Sequence, residues 1–169
     1  MSTSPRRRAF VSLGSNVGDR EAQLRAAGER LAALPLTTVL AVSAIYETAP
    51  LELTAQPLFL NQVACIETAL APFELLHDCQ AIEAAAGRTR TVRFGPRTLD
   101  IDILLYEGVE SNDPELILPH PRMWHRAFVL VPLAEIWGQA KGMPEVDVAG
   151  LAAGLSGEQG VERRGAVRE

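Results

Sequence analysis

From residue 8 to 13 apolar and short polar side chains alternate, the two-residue repeat of a half-buried strand, and Gly14-Ser15-Asn16 stops it. Asp19 then opens a predicted helix in which Leu24, Ala27, Leu31 and Leu34 recur at helical spacing before Pro35 closes it. Residues 39–46, rich in β-branched side chains, predict a second strand, and the stretch 47–57, with two prolines, a loop. Residues 59–68 predict a third strand. Pro72 suits the first turn of a second helix, whose apolar stripe is Leu75, Cys79, Ile82 and Ala86 and whose stop is Gly87. After a polar stretch, residues 99–106 predict a fourth strand.

The order β, α, β, β, α, β is that of a ferredoxin-like split βαβ core, an α+β fold with helices packed on an antiparallel sheet. Leu118-Pro119-His120-Pro121 then leads into an apolar helix around residues 129–137, and a weak helix follows from about Gly150, so C-terminal helical additions are expected. The expected organisation is a flexible tail at 1–7, a single domain over 8–155 and a frayed tail at 156–169. No internal repeat or dividing linker is visible.

Composition narrows the function. With 47% apolar residues in 169, a core is easily supplied. A formal net charge of -5 argues against a general nucleic-acid or anionic-membrane binder. The cations are nonetheless unevenly placed: Lys141 is the only lysine, while Arg88, Arg90, Arg93 and Arg97 fall within one short stretch. Arginine suits bidentate phosphate binding, so a local anion site is compatible with an acidic chain. Cys65 and Cys79 lack metal-ligand spacing and read as buried free thiols in a reducing compartment. The apolar run after Arg8 is too short for a leader, and nothing approaches the ~20 apolar residues of a membrane span. A cytoplasmic protein without a membrane partner is expected.

The chemistry concentrates at Asp100-Ile101-Asp102. Side chains alternate along a strand, so the two acids share one face about 7 Å apart, an arrangement that favours a cation between them. Gly95-Pro96 stiffens the chain ahead of Arg97. Paired acids beside arginines fit a metal-bound polyphosphate, with carboxylates on Mg2+ and guanidinium groups on the remaining charge. An Arg97–Asp100 ion pair is the plain alternative.

The run Arg93-Phe94-Gly95-Pro96-Arg97-Thr98-Leu99-Asp100-Ile101-Asp102-Ile103-Leu104 resembles the signature of the 6-hydroxymethyl-7,8-dihydropterin pyrophosphokinase family, folate-pathway enzymes that move a pyrophosphoryl group from ATP to a pterin alcohol. Further blocks resemble the family in the right order. They are Phe10-Val11-Ser12-Leu13-Gly14-Ser15-Asn16, Tyr46-Glu47-Thr48-Ala49-Pro50-Leu51, Gln56-Pro57-Leu58-Phe59-Leu60-Asn61, and Leu118-Pro119-His120-Pro121 through Arg126-Ala127-Phe128. Together they span roughly residues 8–137.

The resemblance implies that Asp100 and Asp102 hold two Mg2+ ions and that Arg88 and Arg97 stabilise developing charge. It places Gln80, Glu83, Arg90, Ile103, His120 and Arg126 on the ATP side. Thr48, Leu51, Phe59, Asn61, Phe94 and Phe128 fall in the pterin pocket, with the heterocycle sandwiched between Phe59 and Phe128. A monomer is expected. Phe94, Ala49 and Glu115 depart from residues common in the family, and the segment 88–94 is short enough to leave the alignment of Arg90 open by one position.

Two other functions fit parts of the pattern: a two-metal nuclease or phosphohydrolase, weakened by the absence of a basic groove, and a non-catalytic ferredoxin-like ligand-binding module. His77 and His125 read as surface histidines, and Gly14 to Gly18 as a turn near the pterin site, since a P-loop's lysine is missing.

Overall fold

A computed structural model describes residues 5–48, 58–87 and 99–164, apart from the side chains of 156–158. Strand β1 (Arg7–Ser15) is followed by α1 (Arg20–Ala32), β2 (Thr37–Val42), β3 (Tyr46–Thr48) and β4 (Phe59–Thr68). Then come α2 (Pro72–Ala85), β5 (Asp100–Tyr106), the hairpin strands β6 (Ser111–Asp113) and β7 (Leu116–Leu118), α3 (Ala127–Ile136), α4 (Val148–Gln159) and β8 (Val161–Arg163). The main sheet runs β5-β1-β4-β3-β8, with β2 also paired to β4. The core order β5-β1-β4-β2, all antiparallel, is the ferredoxin-like arrangement.

Local chemistry accounts for the boundaries. Asp19 caps α1 by accepting from the Ala22 amide at 3.1 Å. Glu74 reaches back to the Ala71 amide at 2.7 Å, and Pro72 fills the first helical position, where its missing N–H costs nothing. The strand expected over residues 39–46 is divided in two. In the gap Ser43 replaces regular pairing with its own pair of bonds: its amide donates to Val63 O at 2.9 Å, and its hydroxyl accepts from Val63 N at 3.0 Å. β2 and β3 thus lie end to end along the same edge of β4.

Alternation along the strands supplies two cores. Ala9, Val11, Leu13, Leu60 and Ile66 pack under α1 and α2 with Leu24, Leu31, Leu75 and Cys79. Phe10, Val63, Cys65 and Leu104 face the other way and are covered by Val129, Leu130 and Leu133 of α3 and by Val148 and Ala152 of α4. Fully buried side chains such as Phe10, Leu31 and Leu130 each contribute roughly 1.5–3 kcal/mol. The C-terminal additions therefore close the second sheet face. A fraying tail from residue 156 does not fit the described part of that segment, because α4 continues to Gln159 and β8 pairs with β3. A three-residue strand has too short an alternation to announce itself, and its partner lies over a hundred positions away in the chain. Among the described residues no helix is long and apolar enough to cross a membrane.

Candidate active site

The α3 face of the sheet carries the candidate chemistry at the end where β5 begins. Register puts Asp100 of β5, Gly14 of β1 and Asn61 of β4 in one row across three strands, with Asp102 and Ser12 in the next. Directly opposed residues share a face, so both acids, Gly14 and Asn61 look the same way, and both carboxylates are half-buried rather than sunk in a core. Gly14 makes the row possible: a Cβ there would stand 2.9 Å from Asn61 Oδ1 and 3.7 Å from Phe59 Cδ1.

Asn61 and Thr48 are both buried, and the Asn61 amide donates to the Thr48 hydroxyl at 2.6 Å. That bond turns the amide so that Oδ1 lies toward Gly14. Phe59, opposite Thr48 in the β3–β4 register, is half-buried beside this pair. Phe128, in the first turn of α3, is half-buried on the same sheet face, and the Arg126 guanidinium lies 5.3 Å from its ring centre.

His120 is tied to the acid-bearing strand by its amide, which donates to Leu104 O at 2.9 Å just after the cis Leu118–Pro119 bond. Burial, reinforced by Arg126 and Arg122 and only partly offset by Asp100, pushes its pKa down to about 4. The imidazole is therefore neutral at physiological pH. Nδ1 accepts from the Arg122 amide at 3.2 Å, which leaves the ring proton on Nε2 as a hydrogen-bond donor. The unfolded chain takes up this proton near pH 6.5 and the folded chain only near 4, so more protons are bound when unfolded in between. Stability should accordingly fall as the pH drops across that window. Melting temperatures of wild type and His120→Gln are expected to diverge there, wild type losing more; parallel curves would rule the account out.

Glu83, 6% exposed on α2, stands behind the acids. Its Oε2 accepts from the Ile101 amide at 2.7 Å, between Asp100 and Asp102, and so holds the backbone of the strand that presents them. Gln80, expected to work with Glu83, is exposed on the same helix. Ile103 packs in the α1/α2 core, its side chain facing away from the acids, so only its backbone is available to a nucleotide. Arg88, Arg90, Phe94, Arg97 and Leu51 lie outside the described residues. Burial raises the thiols to about 11 for Cys65 and, with Glu83, Asp78 and Asp102 adding to it, to about 12 for Cys79; neither is a nucleophile.

Pattern reading gave Gly14 no place between acids and amide, although a glycine inside a strand signals close approach. It also passed over Arg122, whose amide sets the His120 tautomer. A cleft of about 970 Å³ opens elsewhere, between α1 and the outer edge of β2 and β3, lined among others by Leu24, Arg25, Val39 and Ile45. None of the acids or pocket groups on the α3 face lines it.

Asp100 and Asp102 are hard oxygen donors on one face, which suits Mg2+. Among the described residues no cluster of three or more His, Cys, Asp or Glu gathers, so two carboxylates of this kind could supply only part of a metal's coordination shell.

A double carboxylate in register with a buried amide–hydroxyl pair, with two half-buried phenylalanines on the same sheet face, suits a phosphoryl-type transferase. Residues 10–138 match the family model of 7,8-dihydro-6-hydroxymethylpterin-pyrophosphokinase (HPPK), and the chain belongs to that family. It is 54% identical over 129 residues to the 2-amino-4-hydroxy-6-hydroxymethyldihydropteridine pyrophosphokinase of Methylorubrum extorquens, covering 76% of this chain and 82% of the relative. To the enzyme of the same name from Bacillus subtilis it is 52% identical over 133 residues, covering 79% and 80%. Among solved structures, a Plasmodium falciparum HPPK-DHPS with pterin and p-hydroxybenzoate superposes with a TM-score of 0.66 at 14% identity, over 90% of this chain and 44% of that one. This likeness is one of fold, and the chain spans under half of the larger protein.

Proposed function

We propose that the protein transfers pyrophosphate from ATP to 6-hydroxymethyl-7,8-dihydropterin, yielding the pterin diphosphate and AMP in folate biosynthesis. The observation that carries this reading is the strand register: Asp100 and Asn61 flank Gly14 in one row, so a metal-bound phosphate chain at the acids and a planar amide-like ring at Asn61 would meet over one glycine.

In the reaction the pterin hydroxyl oxygen bonds to the β-phosphorus, the bond from that phosphorus to the α,β-bridging oxygen breaks, and AMP departs with the electron pair while the hydroxyl proton is lost. Asp100 and Asp102 would hold Mg2+, two ions in the fullest form of the proposal, and the bound metal would supply charge neutralisation for the triphosphate. Nε2–H of His120 and the Arg126 guanidinium take phosphate oxygens of ATP. Arg88 and Arg97 meet charge that grows at the transferred group, with Arg90 assisting. Glu83 keeps the acid-bearing strand in register, and Gln80 and the Ile103 backbone border the nucleotide. Asn61 and Thr48 read the pterin edge, Phe59 and Phe128 cover its faces, and Leu51 and Phe94 complete the pocket. Little covalent participation is required of the protein; positioning and charge neutralisation lower the barrier. The enzyme is proposed to act as a cytoplasmic monomer.

Incubation with ATP, Mg2+ and the hydroxymethyl dihydropterin should release AMP in step with pterin diphosphate. ADP or free phosphate in its place would point to a different kinase or a hydrolase.

A further inference from the structure

We propose that Gln159 is a positioning residue for this pocket, its side-chain amide clasping the backbone on both sides of Arg126 and thereby setting where Arg126 and Phe128 stand. The proposal rests on the reading of the pocket above. Gln159 belongs to the part of the chain beyond residues 10–138, the stretch that matches the family model.

α3 begins without a cap of its own. Its N-cap residue, Arg126, has extended backbone (φ -119°, ψ 109°) and makes no side-chain capping bond. The amide of Ala127 is one of the donors that a helix start leaves without an intrahelical partner. Gln159 meets it from a different helix: Oε1 accepts from Ala127 N at 2.8 Å, while Nε2 donates to His125 O at 2.9 Å. A primary amide with one acceptor and one donor thus copies the edge of a strand, and its two bonds bracket a single residue. Rotation of either peptide flanking Arg126 breaks one of them.

The amide is itself held in place. Val148 and Ala152 bury one side of α4 in the core cluster that contains α3, and Asp147 caps the helix by accepting from Gly150 N at 3.0 Å. Beyond Gln159, Gly160 adopts the left-handed conformation (φ 59°), where a side chain would be strained, and turns the chain into β8. There Val161 lies opposite Thr48, and the Arg164 amide donates to Ile45 O at 2.9 Å. One short segment therefore touches both walls of the pocket, the start of α3 through Gln159 and the Thr48 strand through β8.

A clasp that only stabilised the fold would lower the melting temperature and leave ligand affinity unchanged. The two roles separate when full-length wild type, Gln159→Leu and Leu155→Ala are compared; Leu155 packs on the same cluster but makes no bond to residues 125–127. Titration calorimetry with a nonhydrolysable ATP analogue and with the pterin should show roughly tenfold weaker binding of both to Gln159→Leu, the size of losing a good cap, with kcat within about threefold of wild type. Leu155→Ala should melt at a lower temperature and keep both affinities within roughly twofold. Gln159→Glu retains the acceptor but not the donor, so its loss should fall between the other two. Wild-type affinities in both Gln159 variants, or an equal loss in Leu155→Ala, would overturn the proposal. AMP release by wild type is measured alongside. If wild type releases none, the pocket reading fails and this proposal with it, whereas an active wild type with unaffected Gln159 variants removes the role of Gln159 alone.

Discussion

Asp102→Ala is expected to lower kcat about 10³-fold or more while leaving the protein folded, the scale of losing a preorganised electrostatic group together with the metal it helps hold. The side chain is half-buried, in register with Ser12, and belongs to neither core cluster. Truncation opens no cavity in the packed interior. It relieves repulsion from Asp100 on the same face but also removes the interaction Asp102 itself makes, so the melting temperature should shift by only a few degrees. Asp102→Asn keeps the volume and removes the charge, and should be nearly as inactive. AMP release measured against Mg2+ concentration, alongside thermal melting, checks both halves. Near-normal turnover in either variant would remove the metal assignment from β5.

Asn61→Leu should raise KM for the pterin about 10²-fold, with a smaller change in kcat and little change in ATP affinity. A site built around a hydrogen-bonding amide discriminates strongly once that amide is gone, because the polar edge of the heterocycle must then be buried without a partner. The substitution also removes the donor to Thr48 Oγ1, a buried hydroxyl, at a stability cost of about 1–3 kcal/mol. Steady-state kinetics with each substrate varied in turn separates the two consequences. A lower melting temperature with an unchanged pterin KM would make Asn61 a structural amide only.

The parts of this arrangement that pattern reveals are those whose cause is local. Residues 59–68 carry strand character between Pro57 and Pro72, and β4 occupies the same span. Asp19 and Pro72 mark helix starts through chemistry contained within one turn. Asp100 and Asp102 share a face by strand periodicity alone, and register places them there. What pattern leaves out is set by distant partners. The break between β2 and β3 depends on a serine side chain taking over backbone pairing with Val63. Glu83 reads as a helix-face acid suited to a nucleotide, yet it meets a backbone amide eighteen positions on. Val161–Arg163 becomes a strand only because β3 offers an edge. His120 becomes a candidate through the resemblance of its block, but its neutrality follows from burial, reinforced by Arg126 and Arg122.

The placement of β5 has a consequence for how the protein behaves when crowded. Among the described residues it is a border strand of the sheet, and borders invite intermolecular pairing through their open backbone groups. Glu83 occupies the Ile101 donor with a carboxylate, while Asp100 and Asp102 put further negative charge on either side. A second molecule approaching to lengthen the sheet would find that hydrogen-bond donor already engaged and the flanking surface repulsive. Until a metal binds, the acids proposed for magnesium thereby also discourage association of a second molecule along this strand.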